Sequence, residues 1–240
     1  MEEQNSQWKI IIEQKEFYED AAKYWDGIPP TIDGMLGGFG FISHTDIFGS
    51  KQFLRALLKN YHLATEREFA LDCGAGIGRI TKNLLSHFFK KVDLVDQNPK
   101  FLEQAKSYLK NSMDKVGNFY SVGLQDFCPE SNKYDIIWCQ WVLGHLNNDD
   151  LVKFFQNCRN GLRENGFIVV KENVTTSNEI VIDKEDSSLT RPRLELLNAF
   201  EKAKLKCIKE EKQFNMPDGL FPVLMFALTP CDHATSKVML

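Results

Sequence analysis

The sequence predicts an α/β fold: a mostly parallel sheet with helices on both faces and an antiparallel hairpin at its C-terminal end. Three observations carry this. From residue 69 onward short apolar runs alternate with amphipathic stretches, the texture of strands joined by crossover helices. A glycine-rich turn joins the first apolar run, "FALDC", to the first crossover helix. The last two β-rich runs, "KCIKEEK" and "FPVLMFAL", are too close together for a crossover helix and must pair antiparallel. At 240 residues the chain accommodates one such domain with an appendage, and two independent cores are not expected.

Taken in order, residues 7 to 25 place Trp8, Ile11, Ile12, Tyr18, Ala21, Ala22 and Trp25 at helical spacing, which reads as one or two amphipathic helices. Pro29 and Pro30 end that pattern. The following "IPPTIDGMLGGFGFIS" combines Gly34, Gly37, Gly38 and Gly40 with Ile32, Met35, Leu36, Phe39, Phe41 and Ile42. It is too apolar for a solvated linker and too interrupted for a regular helix or strand. Ser50 is expected to cap a helix whose apolar face is Phe53, Leu54, Leu57 and Leu58.

The sheet region then reads as strand "FALDC", a helix over 79–89, strand "KVDLVD", a helix over 99–110 and strand "NFYSV". It continues with strand "YDIIWCQ", a helix over 149–163, strand "GFIVVKEN", an acidic loop "VIDKEDSS" and a helix near 193–204 before the hairpin. The expected division is a helical extension and lid over 1–60, the sheet domain over 61–230 and a disordered tail over 231–240.

Composition excludes several classes. Hydrophobic content is 43% and charged content 26%, as in ordinary globular proteins. Cys73, Cys128, Cys139, Cys158, Cys207 and Cys231 are scattered, so neither a metal site nor a redox pair is expected. The N-terminal "MEEQNSQWKIII" fits no secretory or mitochondrial signal, and no stretch approaches a membrane span. A net charge of −4 without a basic stripe argues against a dedicated nucleic-acid binder and suits a basic partner.

The chemistry concentrates at the ends of the parallel strands. In "ALDCGAGIGRITKNLL", Gly74, Gly76 and Gly78 let the backbone turn tightly and bring a ligand against the main chain and a helix N-terminus. A dinucleotide fingerprint would need a third glycine where Arg79 stands. With Asp72 two residues ahead of the glycines, the segment resembles the first motif of class I S-adenosylmethionine-dependent methyltransferases, which implies a Rossmann-like, seven-stranded sheet. Asp96 ends the second strand about twenty residues on, where an acid accepts hydrogen bonds from ribose hydroxyls. Leu124 and Gln125 in "GLQDF" fall where such enzymes cradle adenine, so these pieces lie at three successive strand ends.

The fourth strand continues "IIWCQWVLGHL", placing Gln140, Trp141 and His145 beside the expected sulfonium, and Asn173 ends the fifth on the same rim. Taken singly, such a Trp is often core and such a His a satisfied structural residue. "DKEDSS" reads equally as a solvated loop capping the next helix or as an acidic slot.

Here the chain closely resembles the α-N-terminal protein methyltransferases, which methylate the terminal amine of proteins beginning Xaa-Pro-Lys or Xaa-Pro-Arg. The matching segments are "FYEDAAKYWDGIPPTIDGMLGGFG", "ALDCGAGIGRITKNLL", "GLQDF", "YDIIWCQWVLGHL", "LRENGFIVVKEN" and "DSS". The resemblance implies a cofactor set of Gly74, Gly76, Arg79, Asp96, Gln97, Leu124, Gln125 and Gln140. It implies Asp186 and His145 as bases, with Asn173 holding the amine and the first carbonyl. For the substrate it implies Trp25, Leu36, Trp141, Asp183, Asp186, Ser188 and Phe221, with Trp141 against the proline ring and Asp183, Asp186 and Ser188 around the third-residue cation. It also implies S-adenosyl-L-methionine as cofactor, no metal, a location in nucleus and cytoplasm, and a proline-glycine segment that closes over the site as a lid.

Two departures stand out. Pro192 follows Arg191 where the family has an acid, and Phe221 replaces a tyrosine of one branch. The ending "PVLMFAL" is more similar to the second, mainly monomethylating branch. The competing expectations are a small-molecule or nucleic-acid methyltransferase on the same fold, or an inactive module that binds such N-termini.

Overall fold

The computed structural model describes residues 15–61, 63–64 and 66–232. The expected start of the N-terminal helix, with Trp8, Ile11 and Ile12, and the tail from residue 233 lie outside the described residues. Helix α1 (Lys15–Asp26) stops ahead of the two prolines. A four-residue helix α2 (Ile32–Met35) and a 3-10 turn (Gly40–Ile42) lead into α3 (Ser43–Asn60). The lid segment, expected to hold no regular helix, is therefore built from two short helical turns hinged at Gly37 and Gly38, whose φ angles of 56° and 84° are left-handed.

One expectation about α3 is corrected. The helix begins at Ser43, seven residues before Ser50, and Ser50 is a fully buried interior residue whose hydroxyl accepts from Lys171. A serine ahead of an apolar face resembles a cap, but here the apolar periodicity extends one turn further back through Ile47.

The sheet follows as β1 (Phe69–Cys73), α4 (Arg79–Asn83), β2 (Lys91–Asp96), α5 (Pro99–Tyr108), β3 (Val116–Ser121), β4 (Tyr134–Gln140), α6 (Asn148–Gly161) and β5 (Leu162–Thr175). The chain ends with β6 (Val181–Asp183), β7 (Ser188–Pro192), α7 (Arg193–Lys202), β8 (Leu205–Lys212) and β9 (Val223–Pro230). The helix expected over 79–89 breaks at Leu84, whose backbone leaves the helical region before a 3-10 turn over Leu85–His87.

Seven strands run in the order β3-β2-β1-β4-β5-β9-β8, with β9 antiparallel to β5 and to β8. The C-terminal hairpin extends this sheet as expected. The acidic loop is a correction: its ends form the antiparallel pair β6–β7, and β7 adds to the end of β5 through Val174 and Arg191. The pattern is too short to read as strands, and "DKEDSS" occupies its turn. Cys231 and Asp232, assigned to the disordered tail, instead form a turn held by the Cys231 N–H to the Lys204 carbonyl at 3.0 Å.

Alternation along β4 builds both layers of core. Ile137 and Cys139 join Phe154, Phe155 and Phe200 from α6 and α7 on one face. Ile136 and Trp138 join Phe53, Leu54 and Leu57 of α3 on the other. Helix α3 is thus part of the main core and packs against the sheet directly.

Candidate active site

At those strand ends lies a cavity of about 950 Å³, counting its open mouth. Its walls include Gly74, Gly76, Arg79, Asp96, Gln97, Leu124, Gln125 and Gln140, so all eight residues expected around the cofactor come together. The glycine turn is held by the N–H groups of Gly74 and Ala75 donating to the Val95 carbonyl at 2.9 and 3.0 Å. Side chains are excluded here. A Cβ on Gly74 would stand 2.5 Å from Val142 Cγ2, and one on Gly76 would stand 2.5 Å from Met35 Sδ.

Two carboxylates brace this loop from behind. Asp72 accepts from the Thr81 N–H at 3.0 Å and hydroxyl at 2.7 Å, and burial pushes its carboxyl up to about 6 although those bonds pull it down. Asp96 accepts from the N–H groups of Gly76 and Asn98, each at 2.8 Å. Burial again dominates, at about 6. Each Asp96 oxygen keeps lone-pair capacity for a further donor.

A second cavity, about 1190 Å³ with its open mouth, adjoins the first. Trp25, Met35, Trp141 and His145 line both, so these four side chains stand where the two spaces meet. Leu36, Asn173, Asp186, Ser188 and Phe221 complete the expected set on its walls. Asp183 is not among its lining residues. It is exposed at the end of β6, where its carboxylate accepts from the Glu185 N–H at 2.9 Å.

His145 has both ring nitrogens engaged. Nε2 accepts from the Trp25 indole at 3.0 Å, and Nδ1 lies 3.3 Å from the Ser187 carbonyl, which only accepts. The ring is therefore neutral, with its proton on Nδ1. Burial lowers its pKa, while the Asp186 charge and the Ser187 carbonyl act in the other direction.

Two buried polar atoms in this region have no hydrogen-bond partner among the described residues: Oδ1 of Asp186 and Nε1 of Trp141. An unmade buried hydrogen bond costs about 1–3 kcal/mol, so a donor and an acceptor left open beside a cavity mark a place where a ligand is to be met. Trp141 is also held at φ 53°, left-handed and strained for a bulky residue. Three bonds over-determine it: its own N–H to the Lys171 carbonyl, and those of Val142 and Leu143 to Glu172 Oε1 at 2.8 and 2.9 Å.

Several residues of the site were not anticipated. Glu172 is buried behind the Trp141 turn, and burial pushes its carboxyl up to about 7. Arg191, also buried, donates to the Leu143 carbonyl at 3.0 Å and to the Leu146 carbonyl, holding the His145 turn from its other side. Met35, Phe39, Thr190, Met216 and Leu220 line the second cavity. Glu172 lies between two lysine-like and amide neighbours in "KEN" and carries no spacing signal of its own, and Arg191 is visible only once β7 is docked on β5.

The comparisons with known proteins agree with this geometry. A family described as "AdoMet dependent proline di-methyltransferase" matches residues 13–229. The chain is 48% identical over 221 residues to the N-terminal Xaa-Pro-Lys N-methyltransferase 1-A of Xenopus laevis, covering 92% of this chain and 98% of that protein. It is 46% identical over 220 residues to the N-terminal Xaa-Pro-Lys N-methyltransferase 1 of Homo sapiens, with the same coverage. A solved SAM-dependent methyltransferase from Leishmania major superposes with a TM-score of 0.83 at 39% identity, covering 89% of this chain and 83% of that one.

Proposed function

Because the chain belongs to the AdoMet-dependent proline di-methyltransferase family, we propose that it methylates the free α-amino group of proteins beginning Xaa-Pro-Lys or Xaa-Pro-Arg. The observation that carries this reading is Asp186, which shares a cavity wall with Trp141 and His145 and whose buried Oδ1 has no hydrogen-bond partner among the described residues.

The residues of the first cavity fit S-adenosylmethionine. Asp96 offers acceptors for ribose hydroxyls, Arg79 a guanidinium for a carboxylate, and Leu124 and Phe101 apolar walls for a flat base. Bound there, the cofactor supplies a methyl group on a sulfonium. The protein's own work lies on the other side. A terminal amine with a pKa of ~7.7–8.0 is largely protonated at neutral pH, and its lone pair must be freed before it can attack.

Asp186 would take that proton. His145, whose Nε2 is occupied by Trp25, would act as a base only after that bond opens, and in the closed arrangement it instead fixes Trp25. Asn173 would hold the amine and the first carbonyl, and the Trp141 ring face the proline. Ser188 and Asp186 would receive the third-residue cation on the cavity wall, with the exposed Asp183 reinforcing the charge from the rim. Leu36 and Phe221 would close on the backbone of the first residues. Nucleic acid is not expected as a partner, in keeping with a net charge of −4 and no basic stripe. A location in nucleus and cytoplasm is proposed with the family reading, and imaging the tagged protein tests it.

The deciding experiment pairs a peptide beginning Ser-Pro-Lys with the same peptide acetylated at its terminus, each incubated with S-adenosylmethionine. Mass spectrometry is expected to show methyl gain on the free peptide alone. No gain on the free peptide, or equal gain on both, would overturn the reading.

A further inference from the structure

Beneath the first cavity lies a buried charge cluster centred on Asp46, an α3 residue with no exposed surface. Its Oδ2 pairs with Arg79 Nη1 at 2.6 Å. Its Oδ1 accepts from Gln140 Nε2 at 2.8 Å and pairs with Lys171 Nζ at 2.5 Å. Lys171 is equally buried, and its ammonium also donates to the Asp46 carbonyl, Ser50 Oγ and Gln213 Oε1 at 3.0, 2.9 and 2.8 Å. The cluster joins five parts of the fold: α3, the start of α4, the end of β4, the middle of β5 and the residue after β8.

Burial acts on both partners, and at Lys171 it outweighs the Asp46 charge and lowers the ammonium's pKa. Burial works against the Asp46 charge, but Lys171 and Arg79 outweigh it and hold the carboxyl below its ordinary value. Two cations facing one carboxylate leave an excess of one positive charge, and the two members that reach the cavity wall are Arg79 and Gln140. Arg79 has few other constraints, namely a long contact of 3.5 Å to Ser43 Oγ and a stacking distance of 5.7 Å to the Trp141 ring. Gln140 is bound besides only through Oε1, which accepts from Trp138 Nε1 at 3.0 Å. Both wall residues are therefore aimed by the same carboxylate, which itself does not line the cavity.

We propose that Asp46 is a positioning residue for cofactor binding. Its carboxylate sets the direction of Arg79 and Gln140 toward the first cavity, and Lys171 is a second buried cation paired with that carboxylate. Since Asp46 lies on the helix that follows the lid, cofactor affinity is then tied to the docking of α3. The inference rests on reading the first cavity as the cofactor site.

The test removes the pair together, because deleting one member of a buried ion pair strands the other while deleting both is often tolerated. In the full-length chain, Asp46→Asn with Lys171→Met is expected to bind S-adenosylhomocysteine at least tenfold more weakly by calorimetry. Lys171→Met alone, which leaves Asp46 on Arg79, is expected to stay within threefold. In turnover, the double variant should raise KM for S-adenosylmethionine with little change in kcat or in KM for the peptide. Equal affinity losses in the two variants, or unchanged affinity in the double variant, would overturn the proposal. Should the double variant fail to fold, Asp46→Glu keeps the charge and shifts it by one methylene; weaker binding is expected, and unchanged binding would overturn the proposal. These affinities are read without peptide, so they stand apart from whether the peptide is a substrate.

Discussion

The indole N–H of Trp25 donates to Nε2 of His145 at 3.0 Å, joining α1 to the turn after β4 across 120 residues of chain. The two rings also meet edge to face, with centroids 5.8 Å apart. Protonating Nε2 would set N–H against N–H, so the bond and the burial of the ring both favour neutral imidazole. His145 is expected to titrate below its ordinary value, and Trp25→Phe should move it upward. The pH dependence of the His145 ring-proton resonance measures both, and an unmoved midpoint in Trp25→Phe would show that the bond does not hold the tautomer.

Asp186 and Asp183, two of the three acidic residues at the β6–β7 turn, should separate in kinetics. Asp186→Asn removes the buried acceptor, and a loss of about 10²–10⁴-fold in kcat is expected of a general base. A loss under about tenfold, or ~1.4 kcal/mol of barrier, would exclude that role. Asp183→Asn acts from the exposed rim, so it should raise KM for an Xaa-Pro-Lys peptide severalfold and leave kcat nearly unchanged. Its effect should fade in high salt, where exposed charges are screened.

Glu172 makes stability depend on pH. Its carboxyl stands at about 7 in the fold against an ordinary value of 4.5, so the folded chain holds a proton that the unfolded chain releases. Its contribution is fully present below pH 4.5 and is lost as pH rises through about 7. Glu172→Gln keeps an acceptor for Val142 and Leu143 without the charge. Relative to the unmodified protein, it should gain on the order of 3 kcal/mol between pH 4.5 and 8. Denaturant unfolding at the two pH values gives this double difference; no relative gain would place the Glu172 pKa near its ordinary value.

Gly74→Ala should damage fold and cofactor site together. The residue sits at φ 66°, and its new Cβ would meet the branched side chain of Val142 at 2.5 Å. The left-handed backbone alone costs roughly 1–2 kcal/mol. Gly38→Ala is the contrast: it shares a left-handed φ of 84° but faces open space. It should strain only the lid hinge, raising KM for the peptide more than it weakens S-adenosylhomocysteine binding. Thermal melting and calorimetry on both variants distinguish these outcomes.

The parallel sheet and its cofactor loop were legible because they depend on local signals. Apolar runs such as "YDIIWCQ", which is β4 residue for residue, announce strands buried on both faces. Gly74, Gly76 and Gly78, all at positive φ, announce a turn that only glycine makes without strain. The candidate site was legible mainly through resemblance, since neither spacing nor periodicity brings Trp25 to His145. The errors were also physical. Ser50 resembles a cap because a serine directly ahead of the apolar face of Phe53, Leu54 and Leu57 has the pattern of one, although the helix continues back to Ser43. The β6–β7 pair reads as a loop because strands of three and five residues leave almost no alternation to read.

By itself the sequence determined the order of strands β1 to β5, the C-terminal hairpin, the position of the glycine turn and the acidic residues available beyond β5, for each depends on neighbours within a few residues. Only the tertiary structure decided what those groups do to one another. Burial is a property of the whole packed chain, and it is burial that leaves Asp186 Oδ1 without a partner, raises Glu172 and forces Arg79 and Lys171 onto the single carboxylate of Asp46.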